Sequence, residues 1–224
     1  MRSISESDAR RNTARTAVRG HLGIMLRNMN ERVSGILLAG GNSRRMGRDK
    51  RFIESGGKSF LEITRKRLSG VADEVIVVTA GAERLELEGV KFVADMEAGL
   101  GPMMGIYTGL KAMSYERAVV NPVDTPHITD ELLRRMIERS EDFDIVMPER
   151  GGRLEPLVAV YSKNVLPVIR GLLKGGERGA PHIMASPEYG LRVNILSEKE
   201  LSDFGDPDLL FKNYNSPGDF NNLT

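Results

Sequence analysis

Gly40 and Gly41 are followed within nine residues by Arg44, Arg45, Arg48 and Lys50. Glycines let the backbone turn sharply and leave no Cβ between the main chain and a ligand. Backbone N–H groups and cationic side chains gathered behind such a turn make a seat for a polyphosphate. Two acids are the natural counterparts. Asp124 stands in Asn121-Pro122-Val123-Asp124-Thr125-Pro126, where flanking prolines fix φ and stiffen the path. A stiffly held carboxylate facing a cationic loop suits Mg²⁺, which binds one or two carboxylates together with substrate phosphates. An Asp at a strand-to-helix junction can equally serve as a helix N-cap. Asp95 precedes a glycine segment, Gly101-Pro102-Met103-Met104-Gly105 with Gly109. Its carboxylate could accept the paired N–H donors of a guanine edge above a flat, small-residue platform. The alternative is a tight turn with Met103 and Met104 packed in the core.

The cationic loop is not a Walker P-loop, which needs Gly, four residues, then Gly-Lys-Ser/Thr. Five residues separate Gly41 from Gly47, and Arg48 follows. Nor does the chain contain a G-x-G-x-x-G dinucleotide fingerprint. Taken alone, the loop could be an ordinary solvated surface segment. Near the end stands Phe211-Lys212-Asn213-Tyr214-Asn215-Ser216-Pro217-Gly218-Asp219. Asn213 and Asn215 would share a face of an extended segment and approach the metal or an acceptor. Asn215-Ser216-Pro217 also reads as a helix cap.

These groups need a frame, and the hydrophobic pattern supplies one. Apolar runs predict strands at Val33–Leu38, Glu74–Thr79, Lys91–Ala94, Ala118–Val123, Asp144–Met147, Pro156–Tyr161, Leu191–Ile195 and Phe211–Tyr214. Helical spacing falls over Lys58–Leu68, Met103–Met113, from a Thr129 cap to Glu138, and over Val165–Leu173. Repeated strand–helix units with short links predict a mainly parallel sheet covered on both faces by helices. Ligands of such sheets sit beyond the carboxyl ends of the strands. Gly40, Gly41, Thr79, Asp95 and Asp124 are all expected at those ends.

The bulk properties narrow the classes. The chain has 224 residues, enough for one good core. Lys+Arg number 32 and Asp+Glu 31, a net charge of +1. No global field therefore points to nucleic acid as the main partner. With no cysteine, disulfides, thiol catalysis and thiolate metal sites are excluded, which suits a cytoplasmic protein. No apolar run approaches the roughly 18 residues of a membrane span. His21, His127 and His182 lie far apart without metal-ligand spacing and read as surface or capping residues. Residues 1–32 hold seven arginines against three acids, a balance of +4. They read as a basic, flexible extension preceding a single domain at 33–224. RNA contact by this arm would be tested by deleting residues 1–30 and measuring RNA retention at low salt.

At this point the chain resembles the molybdenum cofactor guanylyltransferases, within the nucleotidyltransferase superfamily. The family's opening motif stands as Leu38–Gly41, Arg44, Arg45, Met46, Gly47, Asp49 and Lys50. Its middle motif stands as Gly101–Gly105, its Asp-Thr-Pro as Asp124–Pro126, and its terminal motif as Asn213–Asp219. The resemblance spans residues 33–222. It implies a three-layer α/β/α, Rossmann-like fold of the nucleotide-diphospho-sugar transferase type. It implies GTP and molybdopterin cofactor as substrates, Mg²⁺ as cofactor, and transient contact with cofactor-synthesis or acceptor proteins. Leu38, Ala39 and Gly40 would line the nucleotide with backbone groups. Lys50, with Arg45, would meet the phosphates. Asp95 would sit at guanine, and Asp124 would meet Mg²⁺ and GTP. Thr79 departs from the asparagine often found there, and the basic extension is not a family feature. Three rivals remain: a cytidylyltransferase for the same cofactor, a guanylyltransferase for a cobamide precursor, and a non-catalytic nucleotide-binding regulator.

Overall fold

Val33–Leu38 (VSGILL) is buried along its whole length, so it must be covered on both faces. It is an interior strand, β1, of a sheet seen in a computed structural model that describes residues 32–40, 53–81, 87, 89–97, 99–177 and 181–214. The strands are β1 (Val33–Leu38), β2 (Glu54–Ser55), β3 (Lys58–Ser59), β4 (Glu74–Thr79), β5 (Val90–Ala94), β6 (Arg117–Pro122), β7 (Ile145–Arg150), β8 (Arg153–Leu154), β9 (Ala159–Ser162) and β10 (Val193–Leu196). The α-helices are α1 (Phe60–Ser69), α2 (Gly101–Ala112), α3 (Asp130–Arg139), α4 (Leu166–Lys174), α5 (Glu198–Leu201) and α6 (Pro207–Leu210).

The main sheet runs β10-β7-β9-β6-β1-β4-β5, with β8 paired to β7. β1 pairs in parallel with β4 and with β6, placing Leu37 opposite Val77 on one side and Asn121 on the other. β4–β5 and β7–β10 are also parallel. β9 is antiparallel to both β6 and β7. The sheet is therefore mainly parallel, with one reversed strand.

Side chains alternate between two cores. Leu37, Val77 and Val119 pack toward Phe60 and Leu68 of α1 and Leu132, Leu133 and Met136 of α3. Ile36, Ile76 and Val120 pack toward Met103, Ile106 and Leu110 of α2 and Ile169 of α4. Strands apolar on both faces belong to sheets sandwiched between helix layers, and the result is a three-layer α/β/α arrangement. Each fully buried aliphatic side chain contributes about 1.5–3 kcal/mol. Local signals set the helix starts. Ser59 and Glu62 form a reciprocal capping box on α1, and Thr129 caps α3 through the Leu132 N–H. No described helix is long and apolar enough to cross a membrane.

Two expectations fail. Phe211–Tyr214 is not a strand. Asp206 caps the short helix α6, and Phe211 continues its turn by bonding back to the Pro207 carbonyl. Phe211 and Tyr214 are buried three residues apart, a spacing that an alternating strand does not produce. Pro156–Tyr161 is strand only from Ala159 onward, because residues 156–158 form the turn that reverses the chain. The 1–32 extension lies outside the described residues, apart from Arg32.

Candidate active site

The rim beyond the carboxyl ends of β1, β4, β5 and β6 collects Gly40, Thr79, Asp95 and Asp124 (Gly41 lies outside the described residues), and the hydrogen-bond ladder extends past the strands to hold them. The Ala39 N–H donates to Val78 O at 2.8 Å, and the Asp95 N–H to Thr79 O at 2.8 Å. The Val123 N–H donates to Leu38 O at 3.0 Å. Asp95 and Asp124 thus inherit the register of the sheet. The same bonds occupy the Leu38 carbonyl and the Ala39 N–H. Gly40 is exposed at the rim, and a Cβ there would come within 3.1 Å of the Ala80 nitrogen. This close backbone approach is a physical reason for glycine.

Asp95 is half-buried, and its Oδ1 is shielded from solvent without a hydrogen-bond partner. Burial raises its carboxyl above the usual range, and the Thr108 hydroxyl opposes this. Thr108 Oγ1 also accepts the Met96 N–H at 3.2 Å, tying the Asp95 segment to α2. Gly105 of α2 lies beside it. A Cβ at Gly105 would stand 3.8 Å from Asp95 Oδ1 and 3.2 Å from Leu38 Cδ2. Met103 and Met104 are in the core, and it is Gly105, not a methionine, that lies beside Asp95. Thr79 is buried and donates its hydroxyl to Gly81 O at 2.7 Å, a local bond that occupies the group.

Asp124 is half-exposed in the turn after β6. It does not cap α3, because Thr129 does so five residues later. Its carbonyl accepts the Tyr214 N–H at 3.3 Å, which brings the C-terminal segment to the same rim. Asn213 is exposed in that segment. Among the described residues no three His, Asp or Glu side chains gather as a metal cage. Asp124 offers a hard oxygen ligand of the type that Mg²⁺ shares with phosphate oxygens, so the donor set fits an ion brought with a nucleotide. Arg45, Lys50 and Asn215 lie outside the described residues.

Two side chains take positions that sequence spacing did not reveal. His127 is half-buried, with Nε2 2.6 Å from the Tyr214 hydroxyl. Burial, then Arg67 and Lys212, hold its pKa below the usual imidazole value. The signal available was its place directly after Asp124-Thr125-Pro126. Arg150, the last residue of β7, is bonded to Glu155 at 3.0 Å and to Asp208 at 2.9 Å. Burial works against its charge, but those two acids raise its pKa overall.

Residues 35–191 match the family model of a MobA-like NTP transferase domain. A probable molybdenum cofactor guanylyltransferase of Pelotomaculum thermopropionicum is 37% identical over 191 residues, covering 83% of this chain and 89% of that protein. The molybdenum cofactor guanylyltransferase of Desulfosudis oleivorans is 35% identical over 188 residues, covering 82% and 90%. The solved structure of molybdopterin-guanine dinucleotide biosynthesis protein A from Archaeoglobus fulgidus has a TM-score of 0.69 at 24% identity, covering 85% of this chain and 96% of that one. At that identity the likeness concerns the fold.

Proposed function

Because the chain belongs to the MobA-like NTP transferase family, we propose that it transfers GMP from GTP to the phosphate of molybdopterin cofactor and releases pyrophosphate. The observation that carries the choice of base is Asp95. A shielded carboxylate oxygen without a partner, beside a residue with no side chain, suits the adjacent N–H donors of guanine. Cytosine offers one donor group, its exocyclic amine, beside a ring acceptor, and cannot supply that adjacent pair of N–H donors.

In the reaction, an oxygen of the acceptor phosphate attacks the α-phosphorus of GTP. A bond forms between them, the bond from the α-phosphorus to the bridging oxygen breaks, and its electrons leave with pyrophosphate. The acceptor phosphate is already an anion at neutral pH, so no general base is needed. The protein's tasks are in-line positioning and charge neutralisation. Asp95 and Gly105 hold the base, and Gly40 admits the ligand close to the backbone. Lys50 and Arg45 meet the phosphates, and Asn213 and Asn215 approach from the acceptor side. Mg²⁺, when bound, would be held by Asp124 and phosphate oxygens and would offset phosphate charge. Soluble anionic substrates and the absence of cysteine favour the cytoplasm as the compartment.

The test is pyrophosphate release from GTP in the presence of molybdopterin cofactor and Mg²⁺. Asp124→Ala should lower kcat/KM by about 100-fold or more, the scale of losing one transition-state electrostatic contact, with the thermal transition retained. Undiminished turnover in that variant would remove Asp124 from the site. Absence of pyrophosphate release by the unaltered chain would sink the activity itself.

A further inference from the structure

We infer that His127 and Tyr214 form a latch that positions Asp124 toward the phosphate-side metal, making His127 a positioning residue for nucleotide binding. The inference rests on the reading of Asp124 as the metal-side carboxylate. The two side chains come from segments 87 residues apart, and their Nε2···Oη separation is 2.6 Å. The rings lie 5.6 Å apart at 48°. Tyr214 is fixed from its other side by an edge contact with Phe60 of α1, with centroids 5.3 Å apart. Its backbone N–H holds the carbonyl of Asp124 itself. One residue thus grips the turn at both ends, at Asp124 through the main chain and at His127 through the hydroxyl.

The turn is also held from below. Arg67 of α1 donates from Nη2 to Pro126 O at 2.9 Å, and Thr125 Oγ1 donates to Pro122 O at 3.2 Å. Within residues 124–127 every position therefore has a tether. The tethers at 124 and 127 come from a segment late in the chain. Phe211 and Tyr214 are buried while Asn213 between them is exposed, so the latch also sets where Asn213 stands relative to Asp124. Displacing the latch would release the Asp124 main chain without disturbing the ladder that holds Asp95. The geometry accordingly separates the two ends of the nucleotide site: the base end depends on α2 and β5, and the phosphate end depends on the latch.

The experiment measures equilibrium GTP binding to the full chain by calorimetry, with and without Mg²⁺. Tyr214→Phe keeps the ring against Phe60 and removes only the hydroxyl. It and His127→Leu should each weaken Mg²⁺-dependent binding about five- to tenfold, the effect of one net hydrogen bond. Metal-free binding should stay within about twofold in both. The double variant should be no worse than either single one, since both break the same contact. His127→Gln, whose side-chain oxygen can accept the Tyr214 hydroxyl, should recover most of the affinity. Additive losses, or equal losses with and without Mg²⁺, would overturn the latch and leave the nucleotide reading standing. If the unaltered chain binds no GTP in either condition, the nucleotide reading falls first and the latch falls with it.

Discussion

Asp95 is held in a state that burial makes unfavourable for its charge. Burial raises its pKa, so the free protein carries a carboxylate less comfortable than one in water. The linkage follows in sign. A raised folded-state pKa gives a contribution fully present below the unfolded value and lost as pH rises through the folded one. Asp95→Asn should therefore raise the melting temperature of the free protein at neutral pH. The same change should weaken GTP binding by about 10- to 100-fold, the scale of charge-assisted hydrogen bonds. Affinity of the unaltered chain should fall as pH is lowered through the raised Asp95 pKa, because a protonated carboxyl is a poorer acceptor. The Asn variant should lack that inflection in a calorimetric pH series. A site residue that stabilises the free protein when removed is a signature of binding, which a purely structural carboxylate would not show.

At the scale of elements, α2 carries two glycines with different reasons. A Cβ at Gly109 would lie 2.6 Å from Ile36 Cγ2 of β1. Helix propensity favours alanine over glycine by up to about 1 kcal/mol, but overpacking costs about 1–3 kcal/mol. Gly109→Ala should therefore destabilise the fold in thermal melts. Gly105→Ala meets only the tip of Leu38 at 3.2 Å and faces Asp95. It should fold with a nearly unchanged melting temperature and bind GTP about tenfold more weakly, a misfit within the same energy range. Both glycines were visible in Gly101–Gly105 and Gly109, but their separate tasks were not, because the partner of each lies on another strand. The same limit recurs elsewhere. Glu74–Thr79 was readable as a strand because its continuous apolar run of four, Val75–Val78, must be buried on both faces. Asp95 and Asp124 were readable as rim residues because they follow such runs. The reversal of β9 was not readable, since an apolar run carries no direction. Phe211 and Tyr214 suggested a strand because composition does not distinguish alternating burial from two anchors. The place of His127 depended on a tyrosine 87 positions away.

For the whole molecule, a ligand that binds only the folded form adds its free energy to the entire cooperative unit. GTP with Mg²⁺ at about one hundred times its Kd should stabilise the protein by about 2.7 kcal/mol. For a domain of this size that is a rise of about 5–10 °C in melting temperature. CTP at the same concentration should shift it less, because its base lacks the paired N–H donors that guanine presents to a carboxylate. A larger shift with CTP in differential scanning fluorimetry would reverse the assignment of the base.

The interior place of β1 also bears on how the chain comes into being. Its partners are β4 and β6, and the second of these ends at Pro122. During synthesis, the buried run VSGILL waits with one edge unpaired until more than eighty further residues have emerged. At about 5–20 residues per second that is several seconds or more. Parallel pairing over such a span is slow because loop closure must precede the contacts that reward it. Residues assigned to the nucleotide come from positions as distant as Leu38 and Asp124, and the turn bearing Asp124 is clasped only when Tyr214 arrives. If these residues hold the nucleotide as proposed, a complete site exists only once the late segment has docked, so ligand would draw completed molecules out of the unfinished pool.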